Sequence, residues 1–128
     1  MANRVFTLDG IDYDVNVIKL ERSFDVSDSD SSGRTKDWVM HRDVVGTFYN
    51  YSVTIEPNFA NMDSYNAFYE AISAPIAMHN MTFPYGNTTL TFNAYCTKGK
   101  DNLMIRNGIN YWNGLTVNFI AIEPQKVA

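Results

Sequence analysis

Met62-Asp63-Ser64-Tyr65-Asn66-Ala67-Phe68-Tyr69-Glu70-Ala71-Ile72-Ser73 reads as the single helix of a chain whose other segments alternate like strands. Tyr65, Phe68, Tyr69 and Ile72 fall at i, i+3, i+4 and i+7, so four large apolar side chains gather on one side of it. That side needs a sheet to lie on. Asn61 or Asp63 supplies the N-cap oxygen, and Pro75 ends the run because it lacks an amide proton and pushes Ala74 out of the helical region.

Outward from the helix the pattern changes period. Toward the N-terminus, Phe6-Thr7-Leu8-Asp9-Gly10-Ile11-Asp12-Tyr13 predicts a hairpin, since Asp-Gly accepts the positive φ values of a two-residue turn. That register sets Phe6 against Tyr13 and Leu8 against Ile11, all four on one side. Ile18, Leu20, Phe24 and Val26 alternate in a third strand, with Arg22 the exception on that side. Residues 27–36 turn polar and read as a projecting loop. Val45, Tyr49, Tyr51, Val53 and Ile55 then share one face of a long strand that Glu56-Pro57-Asn58 closes.

Beyond the helix, residues 76–83 return to strand, and Pro84-Tyr85-Gly86-Asn87 predicts a turn into a strand that points Leu90, Phe92, Ala94 and Cys96 one way. Leu103-Met104-Ile105, bracketed by polar and glycine-containing stretches, reads as a strand or an excursion at the edge. Gly114 opens the last strand, residues 115–122, apolar on both faces and therefore expected centrally, under the helix. The sum is a mainly β fold: about seven or eight antiparallel strands in a β-sandwich or barrel with one flanking α-helix at about 62–73, one domain over residues 1–128.

Bulk composition bounds the function. With 128 residues the chain can bury a core without staples, and eight Tyr with eight Phe suit pleated strands. A net charge of −4 with no Lys/Arg cluster argues against sequence-specific nucleic-acid binding. A lone cysteine, Cys96, fits a reducing cytoplasm, and no stretch reaches the ~20 apolar residues of a membrane span or the layout of a signal peptide.

The chemistry-bearing residues each have a plain structural reading. Asp28-Ser29-Asp30-Ser31-Ser32-Gly33 matches the opening of an EF-hand calcium loop, but Val39 occupies the twelfth place and strands flank it, so a solvated loop is expected. Cys96 reads as a core thiol, His79 as isolated, and His41 beside Arg42 and Asp43 as a polar strand end. No grouping specifies a nucleophile, a metal or a cofactor, so the expectation is a non-enzyme without cofactors. Trp38, Trp112, Tyr85 and Tyr111 near loops and strand ends fit packing, a protein partner or a sugar-stacking platform.

Four phrases carry a resemblance: Leu20-Glu21-Arg22-Ser23-Phe24, Arg42-Asp43-Val44-Val45-Gly46-Thr47-Phe48-Tyr49-Asn50-Tyr51, Ala71-Ile72-Ser73-Ala74-Pro75 and Gly114-Leu115-Thr116-Val117-Asn118-Phe119-Ile120-Ala121. Together they resemble small virion and tail-module structural proteins of long-tailed phages and prophages of Gram-positive bacteria, of the tail-tube or distal-tail kind. The resemblance implies a virion protein assembled in the bacterial host cytoplasm. Its partners would be copies of itself in a ring, sixfold in such tails, and other tail or baseplate proteins. An acidic subunit suits a lumen through which DNA passes without sticking. The segment carrying Asp28, Asp30, Arg34, Lys36 and Trp38 is the first choice for the contact between subunits or rings, by its mixed charge. The alternative is a carbohydrate- or receptor-binding β-sandwich that stacks ligands on Trp38, Trp112 and Tyr111.

Overall fold

The computed structural model describes residues 3, 5–28, 33–34, 40–41 and 44–127, with backbone alone at 33–34, 40–41 and 106. In chain order the elements are β1 (Thr7–Leu8), β2 (Val15–Asp28), β3 (Gly33–Arg34), β4 (Met40–His41), β5 (Val44–Pro57), α1 (Met62–Ser73), β6 (His79–Tyr85), β7 (Thr88–Tyr95), β8 (Gly99–Arg106), β9 (Ile109–Ala121) and β10 (Lys126–Val127). The protein is mainly β with a flanking helix, and every strand pairing among the described residues is antiparallel.

Eight strands belong to one curled sheet, and β3 pairs with β4 in a separate ribbon. The curl turns on β9. Its Leu115–Phe119 run pairs with β5 on one edge, while its other edge is shared between β8 and, at Ile120–Ala121, β7. One layer is therefore β8–β9–β5–β2 and the other β9–β7–β6–β1, continuous through β9. Where β5 bends away from the end of β9, the Asn50 side chain accepts from the Ala121 amide at 2.9 Å, so that donor is not left unpaired.

Between the layers a cluster of aromatic side chains packs around Phe83. Tyr51 of β5 stacks on Phe83 of β6, centroids 4.3 Å apart and nearly parallel, and the tyrosine hydroxyl donates to the Pro84 carbonyl at 3.0 Å. Phe6, Phe92 and Phe119 surround the same Phe83 ring. A buried tyrosine that finds an acceptor keeps both its apolar area and its hydrogen bond.

The helix spans the expected residues. Asn61 is the N-cap, its side chain accepting from the Ser64 amide, and Ala74 leaves in extended conformation ahead of Pro75. Tyr65, Phe68 and Ile72 are buried, whereas Tyr69 sits at the margin of the stripe and is partly exposed. Phe68 meets Phe6 and Tyr13 edge-on, the Cys96 thiol donates to the Ile72 carbonyl, and the Tyr65 hydroxyl donates to Asp101 of β8 at 2.8 Å.

Four local expectations are corrected. Asp9 and Gly10 take the positive φ of a tight turn, but the hairpin is a single Leu8–Ile11 bridge. Ile11 is exposed because β1 leaves to pair with β6 instead of continuing along its partner. The polar loop starts later than residue 27, since β2 runs to Asp28, and Gly33–Arg34 pairs within it with Met40–His41. Pro84 lies in β6 opposite Thr89, and the turn is confined to Gly86 and Asn87. Gly114 does not open a strand: β9 begins at Ile109 and forms a hairpin with β8 across Asn107-Gly108, both in left-handed conformation.

Candidate interaction surfaces

Gly114 has a φ of 72° inside β9. Across it the register steps from Lys100–Thr116 to Asn102–Asn113, so Gly114 and Leu115 together face Asp101. This is a bulge opened by a left-handed glycine, and it inverts the in-out alternation of everything before it. Trp112 therefore shares the inner side with buried Leu115, and on β8 so do Asp101, Leu103 and Ile105. The inner side of this hairpin runs past the helix that covers the rest of the layer. Leu103, Ile105 and Trp112 are left exposed, and Trp112 lines a cavity of about 410 Å³ with Tyr65, Asn66, Tyr69, Glu70 and Asp101.

The opposite end of the same layer repeats the situation. Cross-strand partners place Arg22 with buried Tyr51, Phe24 with Tyr49 and Val26 with Thr47, so the core-facing side of β2 and β5 continues beyond the last residue of β6 that covers it. Phe24 is 67% exposed and Val45 is exposed as well. A groove of about 550 Å³ opens here, lined by Arg22, Phe24, Val26, Tyr49, Tyr85 and Lys126 among others. Long stretches of exposed apolar side chain on a continuous face mark contact sites more often than scattered single residues do.

Polar groups in the groove hold one another. The Arg22 guanidinium lies 5.6 Å from the Tyr85 ring centroid and the Lys126 ammonium 5.7 Å from that of Tyr49. The Tyr85 hydroxyl donates to the Tyr49 hydroxyl at 3.4 Å. That donation and the neighbouring Lys126 lower the Tyr49 pKa, while the same contacts with Tyr49 raise those of Tyr85 and Lys126. β10 is fixed to β5 by Gln125, which donates to the Tyr49 carbonyl at 2.8 Å and accepts from its amide at 2.9 Å.

The layer is also open laterally. Among the described residues β2 pairs as a strand only with β5 and β8 only with β9, so no further strand lies along the outer edge of β8 or along that of β2 before Val26. Unpaired edges of that length are templates for a further strand.

Of the residues expected to carry the contact, Asp28 ends β2 and is exposed, and Arg34 sits in the β3–β4 ribbon. Asp30, Lys36 and Trp38 lie outside the described residues, as does most of the calcium-like stretch. The stacking platform is not formed as expected: Tyr111 and Trp112 are consecutive on β9 and leave on opposite faces, Tyr111 packing edge-on against Phe59 at 5.0 Å. Ile105 lies in β8, a strand as one of the two readings of Leu103-Met104-Ile105 had it, whereas Phe59 and Ile109, both exposed, were not singled out from sequence, although Asn107-Gly108 was the available hairpin signal for the latter.

Asp9, His79, Cys96 and Tyr65 make contacts within the fold. His79, buried, bonds through Nδ1 to Asp9 at 2.8 Å, and Asp9 also accepts from the Asn80 amide, so the first turn is latched to β6. These bonds, the His79 one foremost, lower the Asp9 pKa. Burial raises the Cys96 thiol pKa, the reverse of what a nucleophile needs. Burial, then donation to Asp101, raises that of Tyr65. Among the described residues no group of three or more His, Cys, Asp or Glu converges, and no helix is long and apolar enough to cross a membrane.

No protein-family model matches the chain, and no curated protein sequence matches it.

Proposed function

We propose that this chain is a structural subunit that assembles with copies of itself, a tail-module protein of a phage virion that forms rings. The observation that carries the reading is the open layer β8–β9–β5–β2: among the described residues no further strand pairs with the outer edge of β8 or with that of β2 before Val26, and the inner side is exposed at both ends. The two edges are different surfaces, so their pairing is heterologous, and a heterologous contact closes into a ring when its rotation divides the circle. Backbone hydrogen bonds between β2 of one copy and β8 of the next would leave each layer continuous around that ring. Phrase-level resemblance supplies the virion setting, with other tail or baseplate proteins as further partners.

Negative-stain images of the purified chain test this: rings or stacked tubes are expected. Isolated particles of one subunit, together with saturable binding in a glycan titration, would instead favour the carbohydrate- or receptor-binding module.

A further inference from the structure

The two exposed ends of the layer differ in charge. At the groove end, Arg22 and Lys126 face tyrosine rings and, among the described residues, neither has a carboxylate within ion-pair reach. At the hairpin end, Glu70 and Asp101 line the cavity beside Trp112, and among the described residues neither has a lysine or arginine within that reach. Both ends present the same thing otherwise, a core-facing side of sheet that has run out of cover. Thr47 in the groove and Ile55, level with Leu115 at the base of the hairpin, are eight residues apart on β5, which is roughly 27 Å at ~3.4 Å per residue. One copy cannot bring its own two ends together.

From this complementarity we infer that copies also meet end to end, the hairpin of one seated in the groove of the next. Ile105, Leu103 and Trp112 would cover Phe24 and Tyr49, and Glu70 and Asp101 would face Arg22 and Lys126. The contact rests on the self-assembly reading but is separate from edge pairing: edges close a ring, and ends join one ring to another. Surface ion pairs add little attraction, yet like charges set against each other oppose a contact, so charge chiefly fixes which end meets which.

A charge exchange decides it. One variant carries Arg22→Glu and Lys126→Glu; the other carries Glu70→Lys and Asp101→Lys. Because Asp101 accepts the Tyr65 hydroxyl, Glu70→Lys alone serves as a second form of the latter that leaves that bond in place. Sedimentation velocity follows species larger than the ring. Each variant by itself is expected to form rings but to need at least about tenfold more protein to extend beyond them, and an equimolar mixture is expected to extend as the unaltered chain does. Ring-forming variants that extend normally, or that fail to extend when mixed, would overturn the end-to-end contact while leaving ring formation standing. An unaltered chain that stays a single subunit would remove the self-assembly reading, and this inference with it.

Discussion

Phe24 and Phe83 are the same residue type on inner faces of the same sheet, and truncating each to alanine separates covered from uncovered positions. Phe83 is fully buried, stacked on Tyr51 and ringed by Phe6, Phe92 and Phe119. Its removal leaves a cavity in a close-packed layer and should cost about 4 kcal/mol. Phe24 is 67% exposed in the isolated chain, so about a third of a full burial energy of ~3 kcal/mol, or ~1 kcal/mol, is at stake. For a chain of this size that corresponds to losses of roughly 15 °C and at most ~4 °C in melting temperature. Thermal melts in dilute solution, where copies are apart, give both values. Under assembling conditions the order reverses in consequence: Phe24→Ala loses the extended species although its fold is nearly intact. A melting loss for Phe24→Ala as large as that for Phe83→Ala, in dilute solution, would show that its own chain covers Phe24 and that the groove is not an open end.

Gly46→Ala should displace β10, because the new Cβ would stand 2.5 Å from the Lys126 carbonyl oxygen and 2.7 Å from Pro124 Cβ. Losing the three Gln125 hydrogen bonds to Thr47 and Tyr49 costs up to ~3 kcal/mol at ~1 kcal/mol each, read as faster proteolysis after residue 120; unchanged cleavage would contradict it. Tyr65→Phe removes the bond to Asp101 between helix and hairpin and should cost about 1.5 kcal/mol in urea unfolding, with faster amide exchange across β8. Asp9→Asn tests the latch to His79 and Asn80. The folded Asp9 pKa lies below its unfolded value of ~3.9, so its stabilisation is complete above that pH and is lost as pH falls through the folded value. Asparagine tolerates the left-handed φ at this turn and should lower stability at pH 7 by under about 1 kcal/mol, given a half-exposed carboxylate, while flattening the acid limb below about pH 4. An acid limb identical in both proteins would show that the latch carries no charge-dependent stability.

Where local chemistry decides the outcome, the chain was legible. The helix follows from its caps and from the spacing of Tyr65, Phe68 and Ile72, and the first turn follows from Asp9-Gly10. Two things lie beyond local pattern. Which strand a segment pairs with is one, as when β1 leaves its hairpin for β6 and exposes Ile11. Phase is the other: consecutive Tyr111 and Trp112 must leave on opposite faces, and the bulge at Gly114 shifts the alternation so that Trp112 is the one that falls inward. The groove was illegible for the same reason. Phe24 and Val45 alternate as core residues do, and nothing in their spacing says that the opposing layer stops at Tyr85. His79 likewise has no sequence neighbour to explain it, because its partner Asp9 arrives through the β1–β6 pairing.

Self-assembly through an open layer is tested most directly by light scattering coupled to size exclusion on the unaltered chain over rising concentration. A discrete species at a fixed integral multiple of the 14.6 kDa subunit, reached without a continuum of smaller intermediates and preceding any larger assembly, is the predicted result. A mass of 14.6 kDa at every concentration would contradict it.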